Sequence, residues 1–211
     1  MKKLIYLVMV VLSLTVTSIS FGSPFQNGSF ENGTIDPGVF TTLYAGDSTS
    51  ITGWTVTRGS IDYIGSYWTA SNGSRSLDLN GYYQQGGITQ TFDTVIGSLY
   101  DVSFDLAGNF DGEPNTKDMN VTAALYSGNY SFVQPVSWSH TNMGWTSFNF
   151  QFTAQAASST LTFTSITGAT DNAFGPALDN VNVNAVPEPA TMLLLGLGLL
   201  GVAGIRRKIK K

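Results

Sequence analysis

Residues 99–106, Leu-Tyr-Asp-Val-Ser-Phe-Asp-Leu, alternate apolar and polar side chains from Tyr100 onward. A period of two fits an extended strand with one dry face and does not fit a helix. Tyr100, Val102, Phe104 and Leu106 share the apolar face, and Asp101, Ser103 and Asp105 share the other. The pattern recurs: Met119, Val121, Ala123 and Leu125 form a second inward row, Phe148, Phe150 and Phe152 a third, Leu161 and Phe163 a fourth. Shorter candidates lie at 53–57, 60–64, 76–79, 88–92 and 178–184, so about nine strands are expected. Parallel strands buried on both faces would read as unbroken apolar runs, so these sheets are antiparallel with one wet face. Asn-Gly pairs at 27–28, 32–33, 72–73 and 80–81 supply turns between them. Residues 24–186 therefore predict an all-β fold, a two-sheet antiparallel jelly-roll sandwich. Trp54 and Trp145 fall in strands and are assigned to its core.

Composition narrows the chemistry. The 211 residues include no cysteine, which excludes a disulfide framework, thiol catalysis and Cys-based metal sites. The formal net charge of −4 hides a segregation. Between 24 and 186 stand 13 acidic residues and only Arg58, Arg75 and Lys117, a balance of −10. A nucleic-acid partner needs a basic face, so that class is excluded.

The remaining cations sit at the ends, and both ends look like addresses. Lys2 and Lys3 precede an apolar run from Leu4 to about Val16, followed by small residues at Ser18 and Ser20. This is a secretory signal peptide over 1–20, with cleavage after Ser20; a retained membrane anchor is the alternative. At the other end Pro187-Glu188-Pro189 leads into an uncharged segment, 190–205, and then a basic tail, 206–211, with Arg206, Arg207 and Lys208 at its start. Sixteen helical residues reach about 24 Å, a little short of the ~30 Å hydrocarbon core, a deficit that snorkelling by the flanking cations covers. A transmembrane helix is expected there, its basic tail cytoplasmic and the acidic body outside. This three-part tail, 187–211, resembles the PEP-CTERM sorting signal of Gram-negative bacteria. The resemblance implies processing by an exosortase, an inner-membrane-tethered precursor, and delivery to the cell surface or an extracellular matrix where exopolysaccharide is produced.

The middle carries a second resemblance. Asn27-Gly28-Ser29-Phe30-Glu31, Ile51-Thr52-Gly53-Trp54-Thr55-Val56, Gly59 to Ile64, Gly73 to Leu79, Gly87 to Phe92 and Gly175-Pro176-Ala177-Leu178-Asp179-Asn180-Val181 follow one another in an order that is similar to the choice-of-anchor C domain and to the plant cell-wall domain of unknown function 642. That family implies a galactose-binding-like jelly roll without a settled activity.

No nucleophile elbow, zinc-protease motif or phosphate loop is present. The single histidine, His140, lies among Ser, Thr and Asn and reads as a solvated turn residue. Asp101 and Asp105 share a strand face about 13 Å apart by the standard rise, so they are no catalytic dyad. The 109–113 loop is too short for an EF-hand and reads as a solvated turn. Calcium is the cofactor the residues favour. Glu31 follows the first strand and Asp179 shares parity with Val181 and Val183, which points its carboxylate inward, where a cation or donors must meet it. In the carbohydrate-binding jelly rolls that the domain resembles, such Phe-Glu and Asp-x-Val positions hold structural calcium; the alternative is that both acids cap turns. For glycan binding the candidates are Tyr63, Tyr67, Trp68, Tyr82, Tyr83 and Trp138, aromatic rings in or beside polar loops. The resulting expectation is a non-catalytic surface protein that binds exopolysaccharide or another cell-surface glycan. A structural adhesion protein of matrix or surface layer and a glycoside hydrolase are the alternatives.

Overall fold

The alternating rows are strands. A computed structural model of the protein describes residues 23–168 and 172–187. The expected signal peptide, the 190–205 span, the basic tail with Arg206, Arg207 and Lys208, and Glu188 and Pro189 lie outside the described residues. In chain order the strands are β1 (Phe40–Tyr44), β2 (Thr55–Arg58), β3 (Ser60–Ile64), β4 (Ser76–Asp78), β5 (Asn80–Gly81), β6 (Gln84–Gln85) and β7 (Gly87–Asp93). They continue with β8 (Leu99–Gly108), β9 (Thr116–Ala123), β10 (Tyr126–Val133), β11 (Thr146–Thr153), β12 (Ser158–Ser165) and β13 (Pro176–Ala185). One sheet has the order β1-β3-β4-β13-β8-β11, the other β10-β9-β12-β7-β2, and β5 pairs with β6 in a small hairpin. Every pairing is antiparallel.

The two main sheets meet through aromatic rings. Phe104 of β8 touches Phe163 of β12 and Tyr130 of β10 edge-on, with centroids 5.3 and 5.0 Å apart. Trp54 is buried against Phe25, Phe30 and Phe163 and donates its Nε1–H to Asn27 O at 3.0 Å. Deleting a buried ring of this kind costs about 3–5 kcal/mol.

Several expectations change. Phe40–Tyr44 and Tyr126–Val133 are strands beyond those expected, the second carrying Tyr126, Tyr130 and Phe132 at alternate positions. Leu125 does not point inward: β9 ends at Ala123, Ala124 takes a positive φ of 50° in a two-residue hairpin turn, and Leu125 is 85% exposed at its tip. Asn80 and Gly81 are buried strand residues, and the turn falls on Tyr82 and Tyr83. Trp145 stands just before β11, half-buried, and donates to Thr69 O instead of filling the inter-sheet core.

The change with most consequence is at Asp179. It pairs with Asp105 on the outer face of the larger sheet, while Val183 pairs with Val102 on the inner one. A register shift between Asp179 and Asn182, with Asn180 at φ 51°, reverses the parity the sequence predicts. Asp179 is buried nonetheless, because the 65–75 segment lies over that face. Trp68 Nε1 donates to Ser76 Oγ, Ser71 Oγ to Asp105 and Asn72 N to Asp179.

The sandwich has two distinct poles. At one, the 94–97 turn bonds to the 154–157 loop, Asp93 N donates to Ser23 O and Val186 N to Leu99 O, so both ends of the described fold emerge there. At the other lie the Tyr82–Tyr83 turn, the loop 109–115 and residues 166–168 and 172–175. β8 runs between them, a reach of about 30 Å for ten residues.

Gly28 allows the first segment to touch β13: a Cβ there would lie 1.7 Å from Val181 O. Gly28→Ala is therefore expected to cost about 3 kcal/mol or more, whereas Gly97→Ala, at φ +83° with open space around it, costs about 1 kcal/mol. Urea midpoints of the two variants check this; equal effects contradict it.

Candidate functional site

The pole opposite the chain ends carries a trough of about 500 Å³ lined by Tyr83, Glu113, Pro114, Asn172 and Phe174. A smaller cavity of about 120 Å³ adjoins it across Ala173 and Phe174 and runs onto the outer face of the larger sheet, where Phe40, Tyr67, Asp62, Asp78 and Asn109 line it. Rings and amide or carboxylate groups thus line both depressions, which share Ala173 and Phe174.

Its shared wall is built by a buried lysine. Lys117 has no exposed surface and donates from Nζ to Gly112 O and to Phe174 O, each at 2.9 Å. The ammonium also lies 5.2 Å from the centroid of Phe110. Burial pulls its pKa down to about 8, while Asp78 and Glu113 hold it up. The Phe174 ring packs so closely on Gly112 that a Cβ there would come within 2.2 Å of it.

The inner end of the cavity is acidic. Asp78 is fully buried and accepts from Asn80 N, Gly175 N and Asn109 Nδ2 at 2.9–3.0 Å. Burial, and then the neighbouring Asp62, raise its pKa well above the usual carboxylate range. Asp62, opposite Asp78 in the β3–β4 ladder, is likewise raised by burial, against the Thr42 hydroxyl that donates to it.

The six aromatic candidates separate. Tyr82 and Tyr83 are 64% and 58% exposed, edge-to-face at 5.0 Å, with Tyr83 on the trough. Tyr67 lines the small cavity, its hydroxyl donating to Asp111 Oδ2 at 2.7 Å; burial and that carboxylate push its pKa up to about 12. Trp138 is half-buried against Phe110 and donates to Gly108 O. Tyr63 and Trp68 are corrections: both are buried in the core, Tyr63 donating to Phe30 O and Trp68 to Ser76 Oγ, so neither offers a ring face to a ligand. His140 is no free turn residue either. Its Nε2 meets both Asp111 oxygens at 2.9–3.0 Å, and its ring lies 4.7 Å from that of Tyr67. The 109–113 loop, expected as a solvated turn, instead buries Asn109 and Phe110 and builds the cavity wall.

Glu31 and Asp179 both reach the 72–75 turn. Glu31 accepts from Ser74 N, Arg75 N and Ser74 Oγ; Asp179 accepts from Asn72 N and Asn180 N. A calcium ion on this pair would share these carboxylate oxygens with the donors. Among the described residues no group of three or more His, Asp or Glu side chains converges as a metal site. Burial raises the Asp179 pKa to about 7, against the backbone N–H groups of Asn72, Asn180 and Ser71, with Asp105 adding to the rise.

Phe40, Asp62, Asp78, Lys117, Asn172 and Phe174 join the site without being sequence candidates for it. An acid in the middle of a short apolar strand, as at Asp62 and Asp78, was the available signal.

Residues 23–184 match the family described as "Protein of unknown function (DUF642)". The chain belongs to the DUF642 family. Residues 185–208 match the PEP-CTERM protein-sorting motif, which marks this DUF642 chain as sorted cargo. Halomucin of Haloquadratum walsbyi (strain DSM 16790 / HBSQ001) is 33% identical over 205 residues, covering 89% of this chain; the chain spans about 2% of the length of that curated relative. Among solved structures, a CBM61 module in complex with beta-1,4-galactotriose covers 78% of this chain and 99% of its own at 12% identity and a TM-score of 0.47. CBM35 from Paenibacillus barcinonensis covers 69% and 99% at 23% identity and a TM-score of 0.43.

Burial raises the pKa of Asp62, Asp78 and Asp179 above the value of an unfolded chain, near 4. The stability they contribute is complete below that pH and lost as pH rises through the folded values, near 7 for Asp179. The melting temperature is expected to fall between pH 5 and pH 8, less steeply in Asp179→Asn; calorimetry across that range checks the sign.

Proposed function

We propose that this DUF642 protein is exported, processed by an exosortase at the inner membrane and placed at the cell surface or in the matrix, where it binds polysaccharide without cleaving it. The observation that carries the reading is the trough at the pole away from the chain ends, where the exposed Tyr83 ring stands beside Glu113 and Asn172. Sugars present C–H faces to aromatic rings and hydroxyls to amides and carboxylates, and this depression supplies both. The adjoining cavity, with Tyr67, Phe40, Asp62 and Asp78, extends the same chemistry. Glycan binding suits this depression better than the one of about 410 Å³ beside Thr122, Gln155 and Thr160, which has no aromatic lining. Binding is favoured over hydrolysis because Asp62 and Asp78 are cross-strand neighbours on one wall, whereas glycosidases place two carboxylates on either side of the scissile bond.

A second reading, structural adhesion, draws on the sheet edges. β10 and β11 are eight-residue edge strands without a charged side chain, stacked over one another through Tyr126 and Phe150 at 4.0 Å. Uncharged edges of that length favour strand pairing between chains.

Tyr83→Ala is expected to weaken binding to the producing cell's exopolysaccharide about tenfold, or ~1.4 kcal/mol, in affinity electrophoresis. Leu125→Ala at the opposite pole is expected to leave it unchanged. Equal retardation of the Tyr83→Ala protein and the parent removes the trough from the function.

A further inference from the structure

The pole where both chain ends emerge carries exposed apolar side chains with nothing in the sandwich to cover them. Val95 and Ile96, at the tip of the β7–β8 turn, are 65% and 67% exposed, and Leu125, at the tip of the β9–β10 turn, is 85% exposed. The 94–97 turn bonds to the 154–157 loop, and Gln155 of that loop lies in the same depression as Leu125, so the three tips belong to one end of the molecule. The same end holds Ser23, bonded to Asp93, and Val186, bonded to Leu99.

Chain length then fixes what faces this pole. From Pro187 only Glu188 and Pro189 intervene before the sixteen uncharged residues 190–205. Three peptide steps reach about 10 Å at most. While the sorting motif is intact and its apolar segment is in a bilayer, a linker this short keeps Val95, Ile96 and Leu125 within reach of the lipid surface. None of the described cations, Arg58, Arg75 and Lys117, lies on these turns, and Asp93 is exposed beside them. Attraction to anionic headgroups is therefore not the force; insertion of apolar tips is.

We propose that this pole is a membrane-seating surface: Val95, Ile96 and Leu125 dip into the interface of the bilayer that holds the precursor, and the trough is directed away from it, about 30 Å distant along β8. Three side chains bind lipid only weakly by themselves, but the tether raises their effective concentration until seating is the resting state. Cleavage near the sorting motif removes the tether and releases the domain. The inference rests on the sorting motif and is independent of the glycan reading.

The chain has no cysteine, so one introduced thiol reports one position. The full precursor, labelled at Ile96→Cys with an environment-sensitive fluorophore, is reconstituted into phosphatidylcholine vesicles containing lipid with an acyl-chain nitroxide. At least twofold quenching is expected at position 96, and none at Thr141→Cys, in the 137–144 loop at the opposite pole. Adding Val95→Asp and Leu125→Asp to the Ile96→Cys protein is expected to abolish the quenching and leave the melting temperature unchanged. Absence of quenching at 96, or quenching that survives the two charges, overturns the proposal, since the second result is what tether proximity alone gives. Shielding of position 96 that requires added exosortase also overturns it, assigning the pole to the enzyme instead.

Discussion

A chain with no cysteine must hold its long loops by other means, and here polar side chains, most of them buried, do it by bonding to loop backbone. Asp78 gathers donors from three separate segments, through Asn80 N, Asn109 Nδ2 and Gly175 N. Lys117 binds the carbonyls of Gly112 and Phe174 across two further loops. Glu31 and Asp179 both hold the 72–75 turn. Leaving a buried donor or acceptor of such a contact unsatisfied costs about 1–3 kcal/mol. The raised carboxylate pKa values record the same cost, since the fold accepts an ionisation penalty to keep its loops in one arrangement.

The Asp78 and Lys117 contacts serve the pole that carries the trough. β8 and β13 deliver Asn109 and Phe174 there from adjacent ends, and Lys117, entering on β9, closes the gap between them. Among the described residues the opposite pole has no such clamps. Its turns are short, bonded backbone to backbone, and tipped with Val95, Ile96 and Leu125. The division agrees with a domain tethered at one end and presenting a binding surface at the other.

The two-sheet antiparallel fold follows from the sequence because one physical rule governs it. Rows such as Tyr100-Val102-Phe104-Leu106 cannot be dry on one face in any helix. The rule fails where alternation is broken. The bulge at Asn180 moved Asp179 to the other face, and the hairpin turn at Ala124 turned Leu125 outward. The site is harder still to read, because it depends on which loops meet. Tyr63 and Tyr83 look alike as aromatic residues among polar neighbours, yet one is buried in β3 and the other stands on a turn. Lys117, a lone cation in an alternating strand, gave no local sign that its Nζ would join two loops.

Mapping amide chemical shifts during titration with oligosaccharides from the producing cell's own exopolysaccharide addresses the central claim most directly. The account predicts that perturbations cluster on residues 82–85, 109–115 and 172–174, with the 94–97 and 124–125 turns silent. Perturbations confined to those two turns, or changes along β10 and β11 that follow protein concentration and ignore the sugar, would contradict it.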